Sequence, residues 1–346
     1  MTTAGSRLRP GRPDDATALT RIATAAYARY VPRIGQPPAP MLDDYARVLA
    51  TAEVRVAEDD DGRPVGFAVL VERPNHLLLE NLAVHPDHQG RGIGTALLDH
   101  VENTALERQL AQVRLFTNEA MTENLALYRA RGYRETDRRV EAGYRRVHLA
   151  KPLRQATLRT ARLLLVPLGD EHLDDEAALD ADPDVMRFLD RPRTRTQVEG
   201  FHAHRLDVAR RSPGFGFWAG IAADGFVGFW ILEPPDAQAD ARDDGGAEGR
   251  DDGQAELGYR LQRRRWRQGL GGEGARELLR HGFTELGLHR IIAATMAVNT
   301  ASRATMASIG MSYRRTFHST WDDPLPGAGL GEVEYALTRD EWLSRR

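Results

Sequence analysis

The sequence contains no cysteine among its 346 residues. That absence excludes disulfide bonds, thiolate metal sites and a cysteine nucleophile from this chain. Lysine is almost as rare, because Lys151 is the only one and arginine supplies the other 46 of the 47 basic residues. We attribute this bias to the arginine codons of a GC-rich genome.

Long apolar runs and an excess of positive charge are missing as well. No stretch approaches the roughly 20 apolar residues that span a bilayer, and the polar, proline-dotted segment 1–15 is unlike a signal peptide. The 47 basic residues face 50 acidic ones, which gives a net charge of −3 instead of the basic excess typical of nucleic-acid-binding proteins. We therefore expect a soluble, cytoplasmic protein that binds neither membranes nor nucleic acids.

The residues that are present predict a folded protein with a duplicated domain. A content of 41% hydrophobic and 28% charged residues is ordinary for a globular chain. Between residues 7 and 149 the patterning predicts strand, helix, antiparallel hairpins, helix, strand, a helix over 122–130 and a final strand over 140–149. The same order repeats from residue 163, and solenoid repeats would be shorter, about 20–50 residues. We predict an α/β fold with domains at 1–153 and 158–346.

One segment interrupts the second repeat. Residues 236–254 are rich in glycine, alanine and aspartate, and seven acidic residues against two arginines give them a net charge of −5. The alternating acidic ligands and the glutamate at fixed spacing that define a calcium loop are missing there. We therefore predict a disordered surface insertion between two strands.

The most informative motif joins a strand to a helix. Residues 77–84 fit a strand, and Gln89-Gly-Arg-Gly-Ile-Gly94 then leads directly into a helix. Glycines let main-chain N–H groups point into one concavity, and the helix N-terminus adds partial positive charge there. The motif therefore predicts a loop that binds phosphate or pyrophosphate, and a tight turn without a ligand is the alternative.

Two common nucleotide-binding loops fit this motif poorly. A Walker loop needs a lysine after its last glycine, and no lysine is present here. A dinucleotide loop needs Gly-x-Gly-x-x-Gly directly after the strand, whereas this spacing is Gly-x-Gly-x-Gly and residues 85–88 intervene. A nucleotide-dependent enzyme stays an alternative, which stabilisation of the protein by ATP or NAD would reveal.

Two motifs of the first half together resemble one known family. The Gln-x-x-Gly-x-Gly loop after Leu82-Ala-Val-His-Pro86, and the later Asn124-Leu-Ala-Leu-Tyr-Arg-Ala-Arg-Gly-Tyr133, are similar to the acetyl-coenzyme A (acetyl-CoA) motifs of GNAT N-acetyltransferases. The resemblance covers most of residues 7–150. It implies a mixed, mostly antiparallel sheet flanked by helices, acetyl-CoA as acyl donor, and a monomer or homodimer. The acceptor it implies is the amine of a small molecule or of a protein N-terminus.

The resemblance also implies roles for individual residues. Tyr128 matches the general acid that protonates the departing thiolate, and Glu80 matches a carboxylate that takes up the amine's proton. The matching coenzyme-binding positions are Leu82, Ala83, Val84, Gln89, Gly90, Arg91, Gly92, Ile93, Gly94, Thr95 and Asn124. The Val84 amide would also lie near the thioester oxygen, where negative charge develops. Because Glu80 and Val84 are four residues apart on one strand, we expect their side chains to share a face.

These assignments have ordinary structural alternatives. Tyr128 also fits a core aromatic residue of an amphipathic helix, and Glu80 also fits a solvent-facing strand position. His85 and His88 flank a turn with no third ligand evident, so we predict no metal site.

One position departs from the family pattern. The family often has an asparagine seven residues before the tyrosine, and Met121 stands there in this chain. Either Asn118 or Asn124 would have to replace it in coenzyme contacts.

The second half resembles another branch of the same superfamily, the ribosomal-protein N-terminal acetyltransferases. The matching segments are 160–168, 182–188, 255–259, 266–273 and 299–303. The candidate site residues of this half are Glu256, Trp266, Gly269, Gly271, Gly272, Asn299 and Ser302. Trp266 stands at the position of Gln89, Arg267 replaces the first loop glycine, and Met306 stands where Tyr128 does. An active second domain and a degenerate or substrate-shaping one both stay open.

The sequence as a whole predicts a tandem N-acetyltransferase that moves an acetyl group from acetyl-CoA directly to an amine. Direct transfer is expected because the chain has no cysteine to hold a covalent acetyl group. The alternative is a non-catalytic acyl-CoA-binding sensor or a structural tandem-domain protein.

Overall fold

The computed structural model describes residues 7–234, 253–319 and 323–345. The chain divides into two compact units, Met1–Leu153 and Arg154–Arg346. The insertion predicted at residues 236–254 lies almost entirely outside the described residues. Within the described ranges, no helix is both long and apolar enough to cross a membrane.

The first unit is built on a seven-stranded sheet in the order β1-β2-β3-β4-β5-β7-β6. Its strands are β1 (Arg7–Pro10), β2 (Glu53–Glu58), β3 (Pro64–Arg73), β4 (His76–Val84), β5 (Gln112–Asn118), β6 (Arg134–Glu141) and β7 (Tyr144–Pro152). Its helices are α1 (Ala16–Tyr27), α2 (Val31–Ile34), α3 (Tyr45–Thr51), α4 (Ile93–Glu107) and α5 (Thr122–Ala130). Among these strands only β4 and β5 are parallel neighbours, which confirms the predicted mostly antiparallel sheet.

Alternate residues of β3 face two different hydrophobic clusters. Phe67 and Val69 pack in a cluster that contains residues of α1, while Ala68 and Leu70 pack in a cluster that contains residues of α4. This is the two-residue period of a strand that is buried on both sides. Helices therefore cover both faces of the sheet around β3 and β4.

The end of the first unit differs from the sequence prediction of one strand over 140–149. The structure has a hairpin there, formed by β6 and β7. Ala142 and Gly143 form its turn with φ of 49° and 83°, and two consecutive positive φ values are typical of two-residue hairpin turns. The first strand of this hairpin is mostly exposed and lacks the apolar alternation that would predict a strand.

The second unit is built on an eight-stranded sheet in the order β14-β15-β13-β12-β11-β10-β9-β8. Its strands are β8 (Leu158–Arg159), β9 (Leu164–Pro167), β10 (Gly216–Ala222), β11 (Gly225–Glu233), β12 (Gln254–Leu261), β13 (Arg290–Met296), β14 (Ser312–Phe317) and β15 (Glu332–Thr338). Its helices are α6 (Leu173–Asp180), α7 (Pro183–Met186), α8 (Arg195–Arg211), α9 (Leu270–Thr284), α10 (Thr300–Ser308) and α11 (Arg339–Leu343). The described strands again contain one parallel pair, β12 with β13. The prediction ended near residue 311 and missed β14, β15 and α11.

Buried ion pairs join α6 and α8 to the second sheet. Asp180 is fully buried and accepts a hydrogen bond from Arg260 of β12 at 2.5 Å. Glu176 is also fully buried, lies 2.6 Å from His202 Nδ1 and pairs with Arg205. Removing one partner of such a buried pair typically costs about 3–5 kcal/mol, because the other charge stays buried alone. These pairs therefore fix the two helices against the sheet.

Candidate functional site

The two parallel strands of the first unit separate part of the way along their length. β4 pairs with β5 only from Leu77↔Val113 to Leu79↔Leu115, although β4 continues to Val84. On its other edge, β4 stays paired with β3 up to Val84. Beyond Leu79 a gap therefore opens between β4 and β5.

The main chain at the end of β4 points into this gap. The amide of His85 donates a hydrogen bond to β3 at 2.8 Å, so the polar main-chain groups of the alternate residues Val84 and Leu82 face the opposite edge. The Leu82 oxygen accepts a hydrogen bond from Tyr27 Oη at 3.0 Å, and the Val84 oxygen accepts one from Gln89 Nε2 at 2.9 Å. An extended ligand can therefore pair with this edge as an added strand.

Six consecutive amides lack an acceptor where the next helix begins. Within the described part of the chain, no oxygen accepts from the amides of Gly90, Arg91, Gly92, Ile93, Gly94 or Thr95. Gly92 caps α4 with a φ of 82°, and Gly90 has a φ of 76°, a region that non-glycine residues occupy at a cost. Unpaired amides at a helix N-terminus attract anions. The predicted loop therefore has the geometry of a phosphate-binding site.

Tyr128 lies beside the gap and is 6% exposed. Its ring packs edge-on against Tyr133, with centroids 5.7 Å apart. Its hydroxyl interacts electrostatically with that of Tyr27. The Tyr27 hydroxyl in turn donates a hydrogen bond to the Leu82 oxygen. Burial raises the pKa of Tyr128 above its ordinary value, and Tyr30 raises it further. Among the described residues nothing accepts a hydrogen bond from the Tyr128 hydroxyl, so its proton is available to a ligand.

Glu80 occupies a bulge in β4. Leu79 and Asn81 pair with consecutive residues of β3, so Glu80 between them is the extra residue. The bulge breaks the alternation along the strand, and Val84 packs in the same cluster as Leu79. That Glu80 and Val84 share a face stays a prediction, because the bulge removes the strict alternation on which it was based. Glu80 is exposed. Burial of the Asp43 side chain raises the pKa of Asp43, and the negative charge of Glu80 raises it further.

Sequence reasoning missed a polar cluster next to this bulge. Asn81 is 5% exposed, accepts a hydrogen bond from Tyr27 Oη at 2.7 Å and donates one to Tyr45 Oη at 2.9 Å. These bonds fix the strand just after the bulge and hold Tyr27 near the Leu82 oxygen. An asparagine inside an apolar strand was the available sequence signal, because a buried amide needs partners.

The residues proposed to replace the family's asparagine differ in their contacts. The Asn124 side chain accepts a hydrogen bond from Tyr30 Oη at 3.3 Å and lies near the sulfur of Met121. The Asn118 side chain instead accepts from the Ala120 amide at 3.0 Å and so shapes the turn into α5. Asn124 is therefore the one that joins the tyrosines beside the gap.

The second unit has a gap of the same length. β12 pairs with β13 only from Gln254↔Arg290 to Glu256↔Ile292, and β12 continues to Leu261. Its other edge stays paired with β11. Glu256 therefore lies at the last parallel pair, where the gap begins.

The second loop keeps the shape of the first despite two replacements. The amides of Arg267, Gln268, Gly269, Leu270, Gly271 and Gly272 have no acceptor among the described residues. Trp266 Nε1 donates to the Leu261 oxygen at 2.9 Å, which reproduces the bond from Gln89 to Val84. Gly269 caps α9 with a φ of 76°, and Arg267 adopts a φ of 59°, in the left-handed region that Gly90 occupies.

The helix after the second gap carries a different set of side chains. Asn299 caps α10 and accepts a hydrogen bond from the Ser302 amide at 3.2 Å, at the position where Met121 precedes α5. Met306 is 1% exposed and is the seventh residue of its helix, as Tyr128 is in α5. Each unit thus lacks one of the two residues that the family pattern combines.

Comparison with known proteins assigns both units to one family. Residues 19–133 match the acetyltransferase (GNAT) family, and residues 162–312 match an acetyltransferase (GNAT) domain. The FsC-acetyl coenzyme A-N(2)-transacetylase of Aspergillus fumigatus is 44% identical over 191 residues, which cover 55% of this chain and 79% of that protein. An alignment of 191 residues is longer than the first unit, so this similarity includes at least part of the second.

Two further similarities involve smaller parts of the chain or lower identity. The [ribosomal protein bS18]-alanine N-acetyltransferase of Escherichia coli K12 is 32% identical over 75 residues, or 22% of this chain and 51% of that protein. A solved GNAT-family acetyltransferase from Bacillus anthracis is 21% identical and covers 54% of this chain and 99% of its own, with a TM-score of 0.41. The family matches in both units and the 44% identical relative show that this chain belongs to the GNAT family of acetyltransferases.

Proposed function

We propose that this protein transfers the acetyl group of acetyl-CoA directly to an amine nitrogen of a small molecule or of a protein N-terminus. The proposal is carried by six unpaired amides at a helix N-terminus beside an unpaired strand edge, in each unit. The amides complement the negative charge of a pyrophosphate. The strand edge complements the amide groups of the pantetheine arm.

In the first unit, Val84 and Tyr128 are assigned to the chemical step. As the amine attacks the thioester carbonyl, the Val84 amide stabilises the negative charge that develops on the oxygen. As the carbon–sulfur bond breaks, the Tyr128 hydroxyl gives its proton to the sulfur. This phenol is protonated at neutral pH, since the ordinary pKa of tyrosine is about 10 and burial raises that of Tyr128 further. No covalent acetyl-cysteine can form, since the chain contains no cysteine.

Glu80 is assigned to the proton that the amine loses. Its position in the bulge of β4 exposes it to solvent close to the strand edge, two residues before Leu82. An exposed carboxylate suits transfer through a water molecule. Asp43 interacts electrostatically with Glu80 and so adds a second carboxylate near it.

The proposal extends to a second coenzyme site in the second unit. The loop from Arg267 to Gly272 supports it, because its amides and its tryptophan bond repeat those of the first loop. The similarity to the Aspergillus fumigatus transacetylase, which reaches into this unit, supports it as well. Met306 leaves α10 without a counterpart of Tyr128, so acetyl transfer in this unit requires another proton donor.

Turnover on a panel of amines tests the proposed reaction. The protein is incubated with acetyl-CoA and polyamines, aminoglycosides, amino acids or peptides with free N-termini, and released CoA is measured with a thiol reagent. Because the chain has no cysteine, the reagent reports only on CoA. We expect at least one amine to gain the mass of an acetyl group. Binding of acetyl-CoA without turnover on any amine would instead favour a non-catalytic acyl-CoA-binding protein.

A further inference from the structure

Tyr259 lies between the coenzyme loop and α10 of the second unit. It belongs to the part of β12 that borders the gap, two residues before Leu261. Its ring lies against Gly271, the counterpart of Gly94, because a Cβ placed on Gly271 would be 3.4 Å from Tyr259 Cε2. Its hydroxyl is 3.4 Å from Ser302 Oγ on α10. The phenol therefore reaches from the strand across to the helix.

This arrangement is absent from the described residues of the first unit. Leu82 occupies the corresponding place in β4, two residues before Val84, and Asn124 is the third residue of α5 as Ser302 is of α10. The phenol beside the first gap comes from the helix instead, as Tyr128. The second unit has Met306 at that helix position and Tyr259 on the strand. A candidate acid thus borders the gap in each unit, supplied by the helix in the first unit and by the strand in the second.

We propose that Tyr259 is the proton donor to the CoA sulfur in the second unit. This inference rests on the second coenzyme site of the proposed function. Met306 takes the helix position of Tyr128, so α10 supplies no proton donor there. Tyr259 on the strand supplies the acid that the helix lacks. Ser302 acts as its partner and connects the phenol to solvent through a hydroxyl.

The step balances with the groups at hand. The amine nitrogen forms a bond to the thioester carbon, the carbon–sulfur bond breaks, and the sulfur takes the proton of the Tyr259 hydroxyl. The proton that the amine nitrogen loses passes to water, and the phenolate regains a proton from water through Ser302. Acetyl-CoA and an amine thus become CoA and an amide, and Tyr259 is unchanged.

The surroundings of Tyr259 keep its phenol protonated and hold its partner in a fixed position. Burial raises the pKa of Tyr259 above its ordinary value, although the hydroxyls of Ser302 and Thr305 lower it in part, so the phenol is protonated at neutral pH. Ser302 is itself held in place, since its amide donates to Asn299 Oδ1 and the Asn299 side chain donates to Thr295 Oγ1 at 3.0 Å. A donor of fixed position is what protonation of a leaving group requires.

The test measures the pKa of the thiol of bound CoA. Gly94→Glu blocks the first loop, because it places a carboxylate among the amides proposed to bind pyrophosphate. The change does not disrupt the helix, since an acidic residue is favourable in the first turn. CoA is then bound to the full-length protein, and the Raman S–H band is followed against pH. The protein contributes nothing to this band, since it has no cysteine. A phenol that donates a hydrogen bond to the thiolate lowers the pKa of the thiol.

We expect Tyr259→Phe to raise the pKa of the bound thiol by about one unit, the worth of one hydrogen bond to a charged group. Tyr259→Leu, which installs the residue of the first unit, should do the same. Met306→Leu is the matched control and should leave the thiol pKa unchanged. Calorimetry confirms that each variant still binds one CoA.

Four results would overturn the inference. An unchanged thiol pKa in Tyr259→Phe would exclude contact between the phenol and the sulfur. A rise in Ser302→Ala without one in Tyr259→Phe would make the serine the donor. Loss of CoA binding in both Tyr259 variants would give the ring a structural role only. If the Gly94→Glu protein itself binds no CoA, the second coenzyme site of the proposed function is wrong, and the inference falls with it.

Discussion

Trp266 donates a hydrogen bond from its indole N–H to the main-chain oxygen of Leu261 at 2.9 Å. In the first unit, Gln89 makes the same bond to Val84 with its side-chain amide, also at 2.9 Å. Both bonds tie the residue that opens the proposed coenzyme loop to the last residue of the strand before it. Two chemically unlike side chains therefore keep one loop geometry, because each presents an N–H at the same point.

This equivalence predicts how substitutions at Trp266 act. Trp266→Phe keeps an aromatic ring but leaves the Leu261 oxygen without its donor, so the loop is held less firmly. We expect about fivefold weaker CoA binding at the second site, from the ~1 kcal/mol of one hydrogen bond. Trp266→Gln should bind as the unchanged protein does. Calorimetry in the Gly94→Glu protein measures both, and weaker binding by the Gln variant than by the Phe variant would contradict the equivalence.

The main-chain conformation of Arg267 predicts that glycine at this position stabilises the second unit. Its φ of 59° is unfavourable for a side chain with a Cβ, by about 1–2 kcal/mol, and glycine returns part of that through greater freedom of the unfolded chain. We expect Arg267→Gly to raise the free energy of unfolding of the second unit by about 0.5–1 kcal/mol relative to Arg267→Ala. All five tryptophans lie in the second unit, so fluorescence during urea unfolding reports on it alone. Equal stability of the two variants would show that the loop relaxes.

Tyr128→Phe tests the proposed acid of the first unit. In a Gly271→Glu background, which blocks the second loop, we expect turnover of the accepted amine to fall by about 10²–10⁴ while acetyl-CoA binding is kept. The neighbouring Tyr133→Phe is the matched control and should change turnover little. Because the pKa of Tyr128 is raised, its loss of a proton should not reduce the rate below about pH 10. Turnover unaffected by Tyr128→Phe would remove the assignment.

Asp180→Asn tests the buried charges that hold the second unit together. The substitution leaves Arg260 and Arg193 beside a neutral side chain in the interior. We expect the free energy of unfolding of the second unit to fall by about 3–5 kcal/mol. Asp174→Asn, which removes an exposed carboxylate from the same helix, should cost less than about 1 kcal/mol. Similar losses in the two variants, measured by tryptophan fluorescence in urea, would contradict this account of the pairs.

Local signals in the sequence predicted much of the first site. Glycine spacing and the start of an apolar helix placed the loop at 89–94, and α5 begins and ends at the predicted residues 122 and 130. Such features depend on neighbours within a few residues, so a single sequence contains them. The duplicated order of strands and helices was predictable for the same reason.

Features that depend on distant pairing were not predictable. The bulge at Glu80 exists because β4 is matched against β3, and no local pattern in 76–84 shows that match. The approach of Tyr259 to Ser302 joins residues 43 positions apart, so only the fold brings the two hydroxyls together. The loss of the glycine at Arg267 suggested a degenerate loop, but the main chain adopts the glycine-like φ in spite of the side chain.

The number of acetyl-CoA molecules that one chain binds tests the central claim most directly. Calorimetric titration of the unaltered protein should give a stoichiometry of two. Gly94→Glu and Gly271→Glu should each reduce it to one, and the double variant should bind none. A stoichiometry of one that Gly271→Glu leaves unchanged would contradict a coenzyme site in the second unit. No heat of binding at all would contradict the proposed function of both loops.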